Sequence, residues 1–369
     1  MSEKFWYKVA KTIMKAGKIP LPITDTFIEF LQTVISEEQA KFILIYKKSS
    51  LNIDQIKART DLDDDALNKM LDDLMNNGII MSVPSEDTGI MIYRLNPPLP
   101  GIIEFSLMRG IKSDKYKRVA ELVERYFDEL GAKIQQNYES ISKVYTKIPA
   151  FDRIIPVGKE VEVGTEVVML YEDVEKYLEK FGKEENNIAV GHCYCRHQHD
   201  LLNDPCKLGA PKLNCFLFDK SAKFAIEHNF ASPISKEEAL KIFREAEDYG
   251  LVHKVFHIHS DPKKGIEAIC NCCKCCCGIF GMYHRGVLPL HTISSYISRV
   301  NEEDCVGCGT CIEKCPLEAI DLENSIATVN EDLCIGCGVC AHHCPEDAIH
   351  LERIVPRDVI IPLKKIATS

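Results

Sequence analysis

Apolar positions in the first hundred residues recur at helical spacing and then give way to short strand-like runs. Between Lys4 and Lys18, Phe5, Trp6, Val9, Ile13 and Met14 share one face, which predicts an amphipathic helix packed on the chain's own body or on a partner. Pro20 and Pro22 stop it. Phe27 to Tyr46 reads as two helical pieces broken near Ser36, where Ser36-Glu37-Glu38-Gln39 has the order of a capping box. A short helix over Leu51 to Lys57, a turn at Arg59 to Leu62 and a second helix over Asp64 to Asn76 follow. In that second helix Leu67, Met70, Leu71 and Leu74 form the core face, and Gly78 closes it. Ile79 to Val83 and Ile90 to Leu95 predict two strands joined at Ser85 to Gly89.

The same reading continues through the middle of the chain. Asn96 to Gly101 is Pro-rich and predicts a linker. Lys115 to Tyr138 predicts a long amphipathic helix that buries Val119, Leu122, Val123, Tyr126, Phe127, Leu130 and Ile134. Val161 to Leu170 and Val252 to His259 have strand character, and Glu172 to Lys180 that of a helix. Ser235 to Tyr249 predicts a helix with a Ser235/Glu238 capping box, ended by Gly250. The expected fold is α+β and multidomain, with few strands in the middle. Residues 1–96 form an N-terminal helical region, 97–297 a cysteine-rich middle domain, and 298–369 a C-terminal domain with a tail. Helix, turn, helix and hairpin within 51–95 resemble a winged helix, a fold that often implies DNA binding. Here the second helix carries Asp63, Asp64, Asp65, Asp72 and Asp73 against Lys69 alone. Phosphate contact needs cations, so protein docking is expected and DNA binding is not.

Composition sharpens the picture at the cysteines. The chain has 369 residues and 18 cysteines. Lys4, Lys8, Lys11 and Lys15 interrupt the N-terminus, so no secretory signal is expected. No apolar run approaches the length of a membrane span. The expected setting is a reducing cytoplasm, where clustered thiols imply metal or redox chemistry and not disulfides. Exposed low-potential iron–sulfur clusters, where such thiols hold them, also suggest an anaerobe.

Eight of the cysteines fall in two copies of one pattern, C-x2-C-x2-C-x3-C-P. The copies are Cys305, Cys308, Cys311, Cys315 and Pro316, then Cys334, Cys337, Cys340, Cys344 and Pro345. Three thiolates at x2 spacing wrap one face of a cube, and the x3 step carries the fourth toward the other cube. Cys305, Cys308, Cys311 and Cys344 are therefore expected on one [4Fe–4S] cluster, and Cys334, Cys337, Cys340 and Cys315 on the other. A structural zinc site needs only four ligands, fewer than this doubled run supplies. The segment resembles the bacterial ferredoxins with two [4Fe–4S] clusters along its whole length.

Ten cysteines remain. Cys193, Cys195, Cys206 and Cys215 suffice for one [4Fe–4S] cluster or one zinc. Cys270, Cys272, Cys273, Cys275, Cys276 and Cys277 either complete the same centre or build another. Neighbouring residues rarely meet disulfide geometry, so metal is the economical explanation. His192, His197, His199, His257 and His259 are candidate ligands, proton donors or hydrogen-bond partners of sulfur. No phosphate-binding loop or dinucleotide-binding glycine motif supports nucleotide use.

Charge is concentrated in the same C-terminal stretch. Ser298 to Glu352 holds twelve acidic and two basic residues, a net of −10 that equals the charge of the whole chain. An acidic face of this kind favours a redox partner with a basic docking surface.

Several segments together resemble a family of anaerobe iron–sulfur proteins with a winged-helix-like N-terminus, a middle domain and a C-terminal dicluster ferredoxin. They are Ser36 to Ala40, Cys193 to His197, Ser235 to Leu240, Gly250 to His253 and Ile269 to Cys277. The resemblance implies electron transfer as a partner of a larger oxidoreductase. Two alternatives are a reductase with an active metal site at Cys270 to Cys277, and a redox-responsive winged-helix regulator.

Overall fold

A computed structural model describes residues 1–17, 21–85, 87–145, 150, 152–158, 173–257 and 266–366. The strand expected at Val161 to Leu170 and the candidate His259 lie outside the described residues.

The fold is α+β, and its centre is one eight-stranded sheet. The strand order is Ile349–Ile361, Leu290–Val300, Asp152–Ile155, Val252–His257, Ile266–Cys272, Leu213–Phe218, Ile188–His192, Ala231–Pro233. Neighbours are antiparallel except Leu290–Val300 with Asp152–Ile155. Strands expected to be few are therefore many. Ala231–Pro233 and Asp152–Ile155 are too short to show a period. Leu213–Phe218 and Ile266–Cys272 carry Asn and Cys where a strand reading looks for apolar alternation. Val252–His257 sits between two strands and is buried at nearly every position, because both faces of the sheet are covered. Leu290–Val300 spans the 297/298 boundary expected from sequence, and its antiparallel partner Ile349–Ile361 comes from the C-terminal region.

The helices follow their sequence signals. Asp25–Val34 and Glu37–Ile43 flank Ser36, whose hydroxyl and Gln39 make the expected reciprocal cap. Lys236–Asp248 is capped in the same way by Ser235 and Glu238. Ile53–Lys57 and Asp64–Asn76 pack beside a three-stranded sheet ordered Ser50–Asn52, Met91–Leu95, Ile80–Pro84. The long helix Asp114–Gln136 lies on Asp25–Val34, with Phe27 and Tyr126 stacked at 5.2 Å. Its C-terminal end holds the chain's tail: Gln135 Nε2 donates to Gly286 O at 2.7 Å and Lys364 O at 3.0 Å.

The expected linker is a packed element. Asn96, Leu99 and Ile102 are buried, and Asn96 Nδ2 donates to Gly78 O at 3.0 Å. Proline and glycine mark an irregular backbone path here, while Leu99, Ile102 and Phe105 fill the space between the N-terminal helices and the large sheet. Gly78, at φ +67°, is required: a Cβ would stand 2.2 Å from Phe105 Cβ.

Candidate metal and redox site

Two hollows lie in the C-terminal region. One is lined by Cys305, Cys308, Cys311 and Cys344, the other by Cys315, Cys334, Cys337 and Cys340. The fourth cysteine of each run thus faces the hollow of the other. Tight turns make this possible. Gly307 has φ +68°, and a Cβ there would meet Ser325 O at 2.2 Å; Gly336 has φ +62°, with Tyr296 O at 2.0 Å. Polar groups aim at the sulfurs. Ala327 N donates to Cys305 Sγ at 3.4 Å and Ala319 N to Cys315 Sγ at 3.3 Å. The Ser298 hydroxyl lies 3.2 Å from Cys340 Sγ. Such bonds favour the more electron-rich form of a thiolate-bound cluster. Both quartets fit a [4Fe–4S] group, which supplies one-electron redox chemistry when bound.

The ten remaining cysteines do not group as their sequence order suggests. Cys206 leaves Cys193, Cys195 and Cys215 and joins Cys273, Cys275 and Cys276, all four sulfurs lying within 4.8 Å of one another. Cys215 faces Cys270 across two antiparallel strands in register, at 3.4 Å between sulfurs. Cys193, Cys195, Cys277 and Cys272 form a run of sulfur contacts at the start of two helices, Tyr194–Leu201 and Gly278–His284. Hydrogen bonds from Cys195 and Cys272 hold the Cys277 thiol well below its ordinary range. A bond from Cys195 draws Cys193 down to about 6. Gly278 N adds a donor to Cys195 Sγ at 3.2 Å.

Two buried cations stand among these thiols, and neither carries a sequence signal. Burial alone would lower Arg196, but the sulfurs of Cys193 and Cys273 outweigh it and hold its charge. Burial likewise acts against charged Lys254, and Asp152 at 2.8 Å with Cys272 overcomes it. Cations kept this deep need anions beside them, which thiolates or a thiolate-bound metal supply.

A cavity of about 180 Å³ opens on the same thiols. Its wall includes Cys193, Cys195, Cys215, Cys270, Cys272 and Cys277, with Glu104, Tyr194, His192, His257, Arg94 and Glu267 among the polar groups on a mostly apolar surface. Each ferredoxin hollow measures about 20 Å³ on the same basis. His197 and His199 turn elsewhere: His197 Nε2 lies 3.0 Å from Ile111 O, and His199 Nδ1 lies 3.2 Å from Asp204.

Burial pushes the Glu104 carboxyl up to about 7, against the opposing donor of Gly101 N at 2.6 Å. Between its ordinary value and 7, the folded chain holds a proton that the unfolded chain releases. Stability therefore falls as pH rises through that window and levels off above it. The full shift is worth about 3 kcal/mol, and contact with the cavity reduces this to about 2 kcal/mol. Glu104→Gln is expected to remove that slope in anaerobic denaturant titrations from pH 5 to 8. A constant difference between the two proteins across that range would refute the assignment.

Among the described residues no helix is long and apolar enough to cross a membrane. No curated protein and no solved structure matches the chain. Residues 298–351 match the family model described as a 4Fe-4S dicluster domain, and with the two quartets this marks the C-terminal region as a ferredoxin-like 4Fe–4S domain.

Proposed function

We propose that the chain carries single electrons between a redox partner and a buried centre in its middle region, through two [4Fe–4S] clusters. Cys305, Cys308, Cys311 and Cys344 hold the outer cluster, and Cys315, Cys334, Cys337 and Cys340 the inner one. Cys193, Cys195, Cys272 and Cys277 hold a third. The observation that carries the reading is one hydrophobic cluster that contains Cys272 and Cys277 together with Cys315 and Cys337, bridged by Phe280, Leu317 and Ile335. Electrons tunnel best through short, dense paths, and this packing joins the inner hollow to the middle thiols without a solvent gap. Val157 N to Cys337 O at 3.0 Å and Lys274 Nζ to Glu313 O at 3.1 Å fix the two parts together.

The outer end faces the partner. Cys308 is an exposed cysteine, and Glu302, Glu303, Asp304, Asp321, Glu346 and Asp347 are exposed along the segments beside it. A basic redox protein, as a component of an oxidoreductase complex, is the proposed occupant. The N-terminal region is read as a winged-helix-like protein-docking module, not a DNA reader, because Asp64, Asp65, Asp72 and Asp73 stand exposed on its second helix. The proposed setting is the cytoplasm of an anaerobe.

The test is stopped-flow reduction of the anaerobically prepared full chain by a basic one-electron donor protein. Reduction should be at least roughly tenfold faster at about 50 mM salt than at about 500 mM. A rate indifferent to salt would reject the docking face. The cavity supports a second reading, a reductase, since it is far larger than either cluster hollow. In the same apparatus, reoxidation of the reduced chain by a small apolar acceptor would move the chain from carrier to enzyme.

A further inference from the structure

We propose that Cys206, Cys273, Cys275 and Cys276 hold one zinc ion in a closed tetrahedral site, apart from the iron–sulfur path. The four sulfurs lie within 4.8 Å of one another, with Cys206 to Cys275 at 3.6 Å and Cys275 to Cys276 at 3.7 Å. A zinc ion with four thiolates at about 2.3 Å sets an edge of about 3.8 Å between sulfurs. A cubane spreads its ligands further, because each thiolate binds a different iron at a separate corner. The two ferredoxin quartets provide the comparison within this chain. They surround open hollows, and among the described residues it is the Cys206 quartet whose four sulfurs converge to zinc spacing.

The surroundings suit a dianionic tetrathiolate. Arg196 is buried, its guanidinium donates to Pro211 O at 2.9 Å and to Asn271 O, and it reaches the sulfur of Cys273. The backbone N–H groups of Ala210 and Lys207 face the sulfurs of Cys206 and Cys275. Four neutral thiols would need neither the cation nor the donors, whereas zinc with four thiolates carries two net negative charges. All four positions are filled from the protein, so the site is structural. Its effect is positional. Cys206 comes from the loop after helix Tyr194–Leu201, and the other three from the turn after strand Ile266–Cys272. Zinc would clamp loop to turn. Cys272 and Cys277 flank that turn on either side, so the clamp fixes two ligands of the third cluster proposed above; only this positional role rests on that reading.

The experiment counts zinc, iron and acid-labile sulfide in the full chain made anaerobically with both metals supplied, beside a Cys206→Ser variant. One zinc per chain is expected in the parent. The variant should lose it, with the iron and sulfide of the two ferredoxin quartets kept and any loss confined to the third centre, whose ligands the clamp fixes. Zinc retained by the variant, or a parent in which these thiols bind iron with or without sulfide, overturns the proposal. X-ray absorption at the zinc edge of the parent covers the case of a variant that does not fold. A shell of four sulfurs at about 2.3 Å supports the site, and nitrogen or oxygen in that shell refutes it. Iron content of the parent reports on the electron-transfer reading separately from its zinc content, so the two can fail independently.

Discussion

A Cys315→Ser chain is expected to lose the cluster of the second cysteine run and keep that of its own. Cys315 is the fourth cysteine of the first run, yet it lines the hollow of Cys334, Cys337 and Cys340. Cys344 lines the other hollow, with Cys305, Cys308 and Cys311. Iron in the C-terminal region should fall by about half, since one cluster of two is lost. The functional loss should be larger than half. The inner hollow shares its packing with Cys272 and Cys277, whereas the outer hollow is lined by Leu322, Ala327 and Ile349 and meets the inner quartet at Cys315 and Cys340. On the proposed path, electrons entering at Cys308 would then have no close carrier ahead of them. Cys344→Ser should do the reverse, silencing the outer cluster while the inner cluster still exchanges electrons with the proposed middle centre. EPR of the two reduced variants reads the difference. If Cys315→Ser instead removes the cluster of Cys305, Cys308 and Cys311, each run ligates its own cluster and the crossed assignment is wrong.

What could be read from the sequence was local. Each cysteine run shows its spacing within eleven residues, and the caps at Ser36 and Ser235 depend on a residue three positions on. The hydrophobic face of Asp114–Gln136 is likewise written in consecutive turns. The division of the middle cysteines is not local. Cys215 meets Cys270 because two antiparallel strands align Phe216 with Ile269 and Leu217 with Ala268, a register that no spacing along the chain encodes. Cys206 meets Cys273 by the same long-range packing. Buried charge is equally silent. Lys254 and Arg196 look like solvated residues in a sequence, and only the fold shows them enclosed. Pro-rich Asn96 to Gly101 misleads in the opposite direction, since composition reports backbone shape and not exposure.

Lys254 and Asp152 give the largest expected change in stability. They occupy adjacent strands of the central sheet, are fully buried, and meet at 2.8 Å. Removing one partner leaves the other charged in apolar surroundings, so Asp152→Ala should cost about 3–5 kcal/mol in anaerobic denaturation. An apolar pair, Asp152→Leu with Lys254→Met, should recover most of that, because it strands no charge. Stability alone would make the pair a structural feature, but Lys254 also faces Cys272 and Cys277 and lies 5.5 Å from the centre of the Phe280 ring. A cation beside a redox centre favours the reduced form. At an effective dielectric of about 20, an isolated unit charge about 8 Å away contributes about 2 kcal/mol, or on the order of 90 mV per electron, and losing the Asp152 anion along with Lys254 returns part of it. The double variant should therefore fold nearly as well as the parent while its middle centre becomes harder to reduce, by tens of millivolts. Recovery of stability together with an unchanged potential would confine Lys254 to holding the sheet.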